Sequence, residues 1–90
     1  MDKQRNWEKY SEIGLRISDC RRRSHMTQEE MAEKLNVSRQ HIGAIEAPNV
    51  KRKISLDLLF DIADLLGVEP KYFLEVQDIP YIDAQKKDEK

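Results

Sequence analysis

Residues 27–46, TQEEMAEKLNVSRQHIGAIE, leave this chain few choices. Thr27 can cap a helix, and Glu30, three residues later, completes a capping box in which each side chain satisfies the other residue's backbone N–H. Met26 before the cap and Met31 after it form a hydrophobic staple. Leu35-Asn36-Val37 then breaks the helical pattern. Asn36 tolerates the left-handed backbone that a tight turn needs. Ser38 caps a second helix, stapled by Val37 and Ile42. The spacing predicts two short helices joined by a turn of three residues.

The apolar positions agree with that reading. Met31, Ala32 and Leu35 share one face of the first helix, and Ile42 and Ile45 share one face of the second. Ala32 is small where the helices should cross, so they can approach closely. Two short helices so joined describe a helix-turn-helix. Ser38, Arg39, Gln40, Gly43 and Ala44 are left on the outer face of the second helix. Arginine can bond guanine through two hydrogen bonds, and glutamine can do the same with adenine. Gly43 and Ala44 add no bulk, so the backbone can come near a base edge.

With 90 residues, one domain is expected. A chain this small buries only ~60% of the surface its unfolded form exposes, which favours a helical fold with local contacts. One cysteine, Cys20, excludes an internal disulfide, and a reducing, cytoplasmic setting is expected. No apolar run approaches the ~20 residues of a membrane span. The polar residues 1–6 do not read as a secretory signal. The net charge of −1 argues against a nucleic-acid partner only until its distribution is read. Arg16, Arg21, Arg22 and Arg23 outweigh Asp19 across residues 16–25. Arg39, Lys51, Arg52 and Lys53 outweigh Glu46 across residues 36–53. Asp57, Asp61, Asp64, Glu69 and Glu75 outweigh Lys71 beyond them. The chain is polarised, and a polyanion meets the local field.

In chain order, residues 1–6 read as a loose arm and residues 7–75 as the folded domain. Asn6 is placed to cap a first helix. Trp7, Tyr10, Ile13, Ile17 and Cys20 make one apolar stripe along it. Leu15 falls opposite the stripe, either as a single exposed leucine or as part of a patch for the tail or a second subunit. Arg22 and Arg23 at the helix end suit the helix dipole as well as they suit a phosphate. His25 falls in the following turn. Ser55 is placed to cap a further helix, with Leu56, Leu59, Ile62, Ala63 and Leu66 as its core face, widened by Leu58, Phe60 and Leu65. This reads as the most buried helix. Gly67 should end it, and Pro70 should open a short last helix with Tyr72, Phe73 and Leu74. Residues 76–90 read as a separate tail with apolar islands at Val76, Ile79, Pro80, Tyr81 and Ile82, which either packs back on the domain or helps to build a dimer, and residues 84–90 read as a charged, disordered end. Two histidines and one cysteine cannot complete a tetrahedral metal site. No nucleophile–base pair stands out, so no catalytic residue, metal or cofactor is expected.

Several of these residues together resemble the phage Cro and repressor type of helix-turn-helix regulator, also called the xenobiotic-response-element family. The match comprises residues 27–32, 35–38, Ile42, Ile45 and Glu46. Ile13, Ile17 and Arg21 resemble the family's first helix, and Ser55, Leu56 and residues 62–68 its fourth. The resemblance spans roughly residues 13–75. It implies an all-α, five-helix, lambda-repressor-like domain. It implies that Arg21 forms a buried ion pair with Glu46, bracing the reading helix. It also implies that Gln28 bonds a DNA phosphate at the helix N-terminus. Residues 51–53 would touch the sugar-phosphate backbone. Where the family commonly has a glycine after the closing glutamate, this chain has Ala47-Pro48-Asn49. Pro48 disfavours helix at Ala47 and stops the helix, and Asn49 is expected to take the left-handed place.

The function expected from sequence is sequence-specific binding of double-stranded DNA by a transcriptional regulator, a repressor by its resemblance. Ser38, Arg39, Gln40, Gly43 and Ala44 would face bases. Gln28, His41, Asn49, Lys51, Arg52 and Lys53 would face phosphates. A homodimer on an inverted repeat is expected, with Tyr72, Phe73, Leu74, Ile79, Tyr81 and Ile82 at its interface. The alternative is a protein-binding module, such as an antitoxin or a scaffold under a protein antagonist.

Overall fold

Helix ends in this protein are set largely by side chains within four residues of them. The computed structural model describes residues 6–75, and expectations for residues 1–5 and 76–90 lie outside it. Five helices follow one another: α1 (Trp7–Arg23), α2 (Gln28–Leu35), α3 (Arg39–Glu46), α4 (Leu56–Leu66) and α5 (Lys71–Leu74).

The capping box closes the start of α2. Thr27 Oγ1 accepts from the Glu30 backbone N–H at 3.0 Å, and the Thr27 N–H donates to Glu30 Oε1 at 2.9 Å. Ser38 Oγ caps α3 by accepting from the His41 N–H, and Ser55 Oγ caps α4 by accepting from the Leu58 N–H. Asn36 adopts φ 58° and ψ 43° after α2. Gly67 adopts φ 74° after α4. His25 also takes positive φ, in the turn after α1, where the Met26 N–H donates back to the Arg21 carbonyl.

Two expected caps are not made. Asn6 makes no side-chain bond to α1; only its carbonyl is used, by the N–H groups of Lys9 and Tyr10. Asn49 is not left-handed either. Helix α3 ends at Ala47, whose extended backbone (φ −79°, ψ 126°) is what the following Pro48 imposes. With the helix already stopped, no left-handed residue is needed. The Ser11 hydroxyl donates to the Pro48 carbonyl and ties this loop to α1.

The core comprises Ile13 and Ile17 of α1, Met31 and Ala32 of α2, Ile42 and Ile45 of α3, four residues of α4 and Phe73 of α5. Helices α1 and α2 both pack on α3. Gly14 decides how closely α1 can do so. A Cβ there would stand 2.0 Å from the Ile45 carbonyl oxygen, so the two backbones touch. Ser18, one turn later, is buried on the same face.

Helix α4 is less buried than its composition suggests. Leu58, Leu59, Ile62 and Ala63 form the buried stripe, whereas Leu56 and Phe60 are 61% and 44% exposed. At 3.6 residues per turn those two fall roughly a quarter-turn or more from the stripe's centre. Leu15 of α1 is exposed as well. Phe73 is fully buried, so it cannot belong to the dimer surface expected of α5. Its neighbour Tyr72 packs against it edge-on and receives the Arg16 guanidinium over its ring, 5.7 Å from the centroid.

Candidate nucleic-acid interface

Helix α3 has an inner side locked to three other elements and an outer side left open. The lock is a buried carboxylate. Arg21 Nε donates to Glu46 Oε2 at 2.8 Å, and Arg21 Nη2 donates to Glu46 Oε1 at 2.9 Å. Both side chains are almost wholly buried. Arg21 Nη1 donates to the Met26 carbonyl at 2.6 Å. The guanidinium is held above its ordinary pKa chiefly by the hydrogen bond to Glu46, with burial opposing and the carboxylate's charge adding. A two-point arginine–carboxylate pair fixes direction as well as distance. Gln28 Nε2 supplies a third bond to the carboxylate, at 3.0 Å to Oε1. One carboxylate at the end of α3 therefore holds α1 and α2 directly, and Arg21 carries the tie on to the turn between them.

This changes the reading of Gln28. Its resemblance-based place is at a phosphate, yet one amide hydrogen is engaged by Glu46. The second amide hydrogen is the donor it has to offer outward. Nothing in the sequence pattern marks this bond, because the partners are 18 residues apart.

The outer side of α3 carries Ser38, Arg39 and Gln40, all exposed, and Gly43 and Ala44, both half-buried. A Cβ at Gly43 would find its nearest neighbour, Gln28 Oε1, at 3.6 Å, an ordinary contact. The fold itself does not demand a glycine there. That is the reverse of Gly14.

The cations beside α3 are arranged by neighbours of their own. Arg52 Nη1 lies 2.8 Å from His41 Nδ1. The guanidinium must be the donor, so the imidazole accepts at Nδ1 and in its neutral form carries its proton on Nε2. Two residues expected as separate phosphate contacts are thus joined, and the loop after α3 is pinned to α3. Lys51 Nζ lies 5.2 Å from the centre of the Trp7 ring, a cation–π contact that pins the same loop to α1. Asn49 and Lys53 are exposed. Arg16 sits beside Glu12, Arg23 beside Asp19 and Lys71 beside Glu69, while Lys9, Arg22 and Lys34 form no ion pair among the described residues. Among the described residues, no acid forms an ion pair with Arg39, Lys51, Arg52 or Lys53. Among the described residues, then, the open side of α3 is bordered by positive charge with no acid paired to it.

A model of the Cro/C1-type helix-turn-helix family matches residues 17–73. The chain belongs to that family. No curated protein and no solved structure matches the chain significantly. As a helix-turn-helix regulator, the protein is a DNA-binding regulator, with α2 and α3 as its motif. The described part of this regulator is all-helical and has the lambda-repressor-like architecture. None of its described helices is long and apolar enough to cross a membrane. Cys20, half-buried in α1, has its thiol pushed up chiefly by burial and also by Asp19, with Arg23 opposing, so it is a packing residue and not an activated nucleophile.

Proposed function

We propose that this regulator is a repressor that reads a specific double-stranded site as a homodimer. Helix α3 enters the major groove. Arg39 and Gln40 read bases, Ser38 and Ala44 support them, and Gly43 lets the backbone approach. Gln28, His41, Asn49, Lys51, Arg52 and Lys53 hold the phosphates, which position the domain without reading sequence. The homodimer spans an inverted repeat whose half-sites lie about 34–36 Å apart, one turn of the duplex. Repression follows from occupancy of the site.

One observation carries this reading. The side chains best suited to bases stand exposed on a helix whose other side is clamped, and the cations around them have no acidic partner among the described residues. Selection of bound sequences from random DNA tests it. A palindromic consensus with half-sites one turn apart is expected. A non-palindromic consensus would refute the dimer, and no consensus would refute specific reading. Replacing Lys51, Arg52 and Lys53 together by alanine tests the loop: each lost phosphate contact flattens the log–log salt slope by about 0.9. An unchanged slope removes the loop from the interface.

The exposed apolar residues Leu56, Phe60 and Leu74 favour a second reading. In it the domain is a protein-binding module, such as an antitoxin or the target of an antagonist. A tightly co-purifying protein, with no DNA fragment retained, would favour that reading.

A further inference from the structure

An apolar groove of about 220 Å³ opens away from the reading helix, between the start of α1, the start of α4 and the end of α5. Tyr10, Ile13, Ile54, Leu56, Leu59 and Leu74 wall it, and Lys9 stands on its rim. Scattered exposed leucines are ordinary on a small protein. Here Leu56 and Leu74, both well exposed, open on the same groove. No residue of α3 takes part in it, so DNA reading leaves it unexplained.

The chain itself supplies an occupant. Leu74 is a wall of the groove, and the chain continues from Glu75 into V-Q-D-I-P-Y-I-D, residues 76–83. Its apolar members match the lining. Asp78 and Asp83 flank residues 79–82, opposite in charge to Lys9. Pro80 fixes its own backbone and biases Ile79 towards an extended form, so the segment loses little freedom on docking. The four steps from Glu75 to Ile79 reach about 13–14 Å at full extension, enough to cross a groove a few side chains wide. A tethered segment also acts at an effective concentration of about millimolar, above that of a second molecule at ordinary concentrations.

We propose that residues 76–82 fold back and seat Ile79, Tyr81 and Ile82 in this groove of their own chain. The seated tail covers Leu56 and Leu74 and completes the core on the side of α5. It also rests on Ile54, the residue next to Lys53, and so steadies the base of the cationic loop. Among the described residues, Leu15, Val50 and Phe60 then remain as the large apolar side chains open to a second copy. This arrangement stands independently of which DNA site is read.

The test is a double-mutant cycle in the full chain. Leu56→Ser is made alone, Ile79→Ser/Tyr81→Ser/Ile82→Ser is made together, and the two are combined. Thermal unfolding is followed at two protein concentrations tenfold apart, beside sedimentation of each variant. Leu56 is well exposed in the domain, so its replacement leaves the fold intact. With the native tail, Leu56→Ser is expected to lower Tm by about 4–8 °C, the shift that a loss of ~1 kcal/mol gives in a domain of this size. In the tail variant the same change should have little or no effect, and the difference should not depend on concentration. An equal shift in both backgrounds overturns the proposal. So does a difference that grows with concentration while the tail variant loses a dimer, because the groove would then hold a second copy's tail.

Discussion

The two sides of α3 differ in a way that two glycines summarise. On the inner side, Gly14 of α1 presses its backbone against Ile45, and no Cβ fits. On the outer side, Gly43 of α3 itself has ordinary space around it. Small size is demanded by the protein in the first case and left over in the second. The polar groups divide the same way. Glu46 accepts three hydrogen bonds from within the domain, while Arg39 and Gln40 make no side-chain bond among the described residues. A residue whose properties the fold has already accounted for is architecture. A residue whose size, charge or donors the fold leaves unaccounted for is where a ligand is to be sought.

The contrast can be broken most forcefully at Glu46. Replacing it by alanine leaves the Arg21 charge buried without its partner, and a loss of ~3–5 kcal/mol in unfolding free energy is expected. Denaturant titration measures this; a loss below ~1 kcal/mol would mean that water reaches Arg21 freely and that the clamp contributes little. Gly14→Ala comes next. It must separate two helices or bend one of them, at a cost of about 3 kcal/mol, the upper part of the range for overpacking. An unchanged denaturation midpoint would show that the contact between α1 and α3 can give way.

The outer side should respond with the opposite sign. Gly43→Ala adds a good helix former where there is room. Stability should rise by about 0.5–1 kcal/mol while specific DNA affinity falls. If affinity is unchanged, the backbone at Gly43 does not approach the DNA. If stability falls, the outer side is more crowded than its geometry indicates.

Much of this was legible in residues close together in the chain. Thr27 with Glu30, Ser38, Ser55, Asn36 and Gly67 act within a few residues of themselves, so their chemistry can be read before the fold is known. That Leu56 and Phe60 lie off the core was not legible, because helix composition does not say which arc of α4 meets neighbours. Asn49 is not left-handed because Pro48 by itself ends α3 at Ala47. The bonds from Gln28 to Glu46 and from Arg52 to His41 could not be read at all, since each depends on how separate elements pack. Gly14 left a trace: a glycine inside an otherwise helical pattern marks a close approach or a weak helix. The trace does not say which helix approaches. Of the candidate interface residues, the exposure of Ser38, Arg39 and Gln40 was legible and the pinning of Lys51 and Arg52 was not.

Replacing Arg39 by alanine tests most directly the proposal that it reads a base from a clamped helix. Binding of the native chain and of Arg39→Ala should be compared on a selected site and on random DNA at the same salt concentration. The expected result is a loss of ~1–3 kcal/mol on the selected site, relaxed preference at one base position, a smaller loss on random DNA, and an unfolding midpoint that does not move. Equal weakening on both DNAs would make Arg39 a phosphate contact and would contradict the assignment of α3's outer side to base reading.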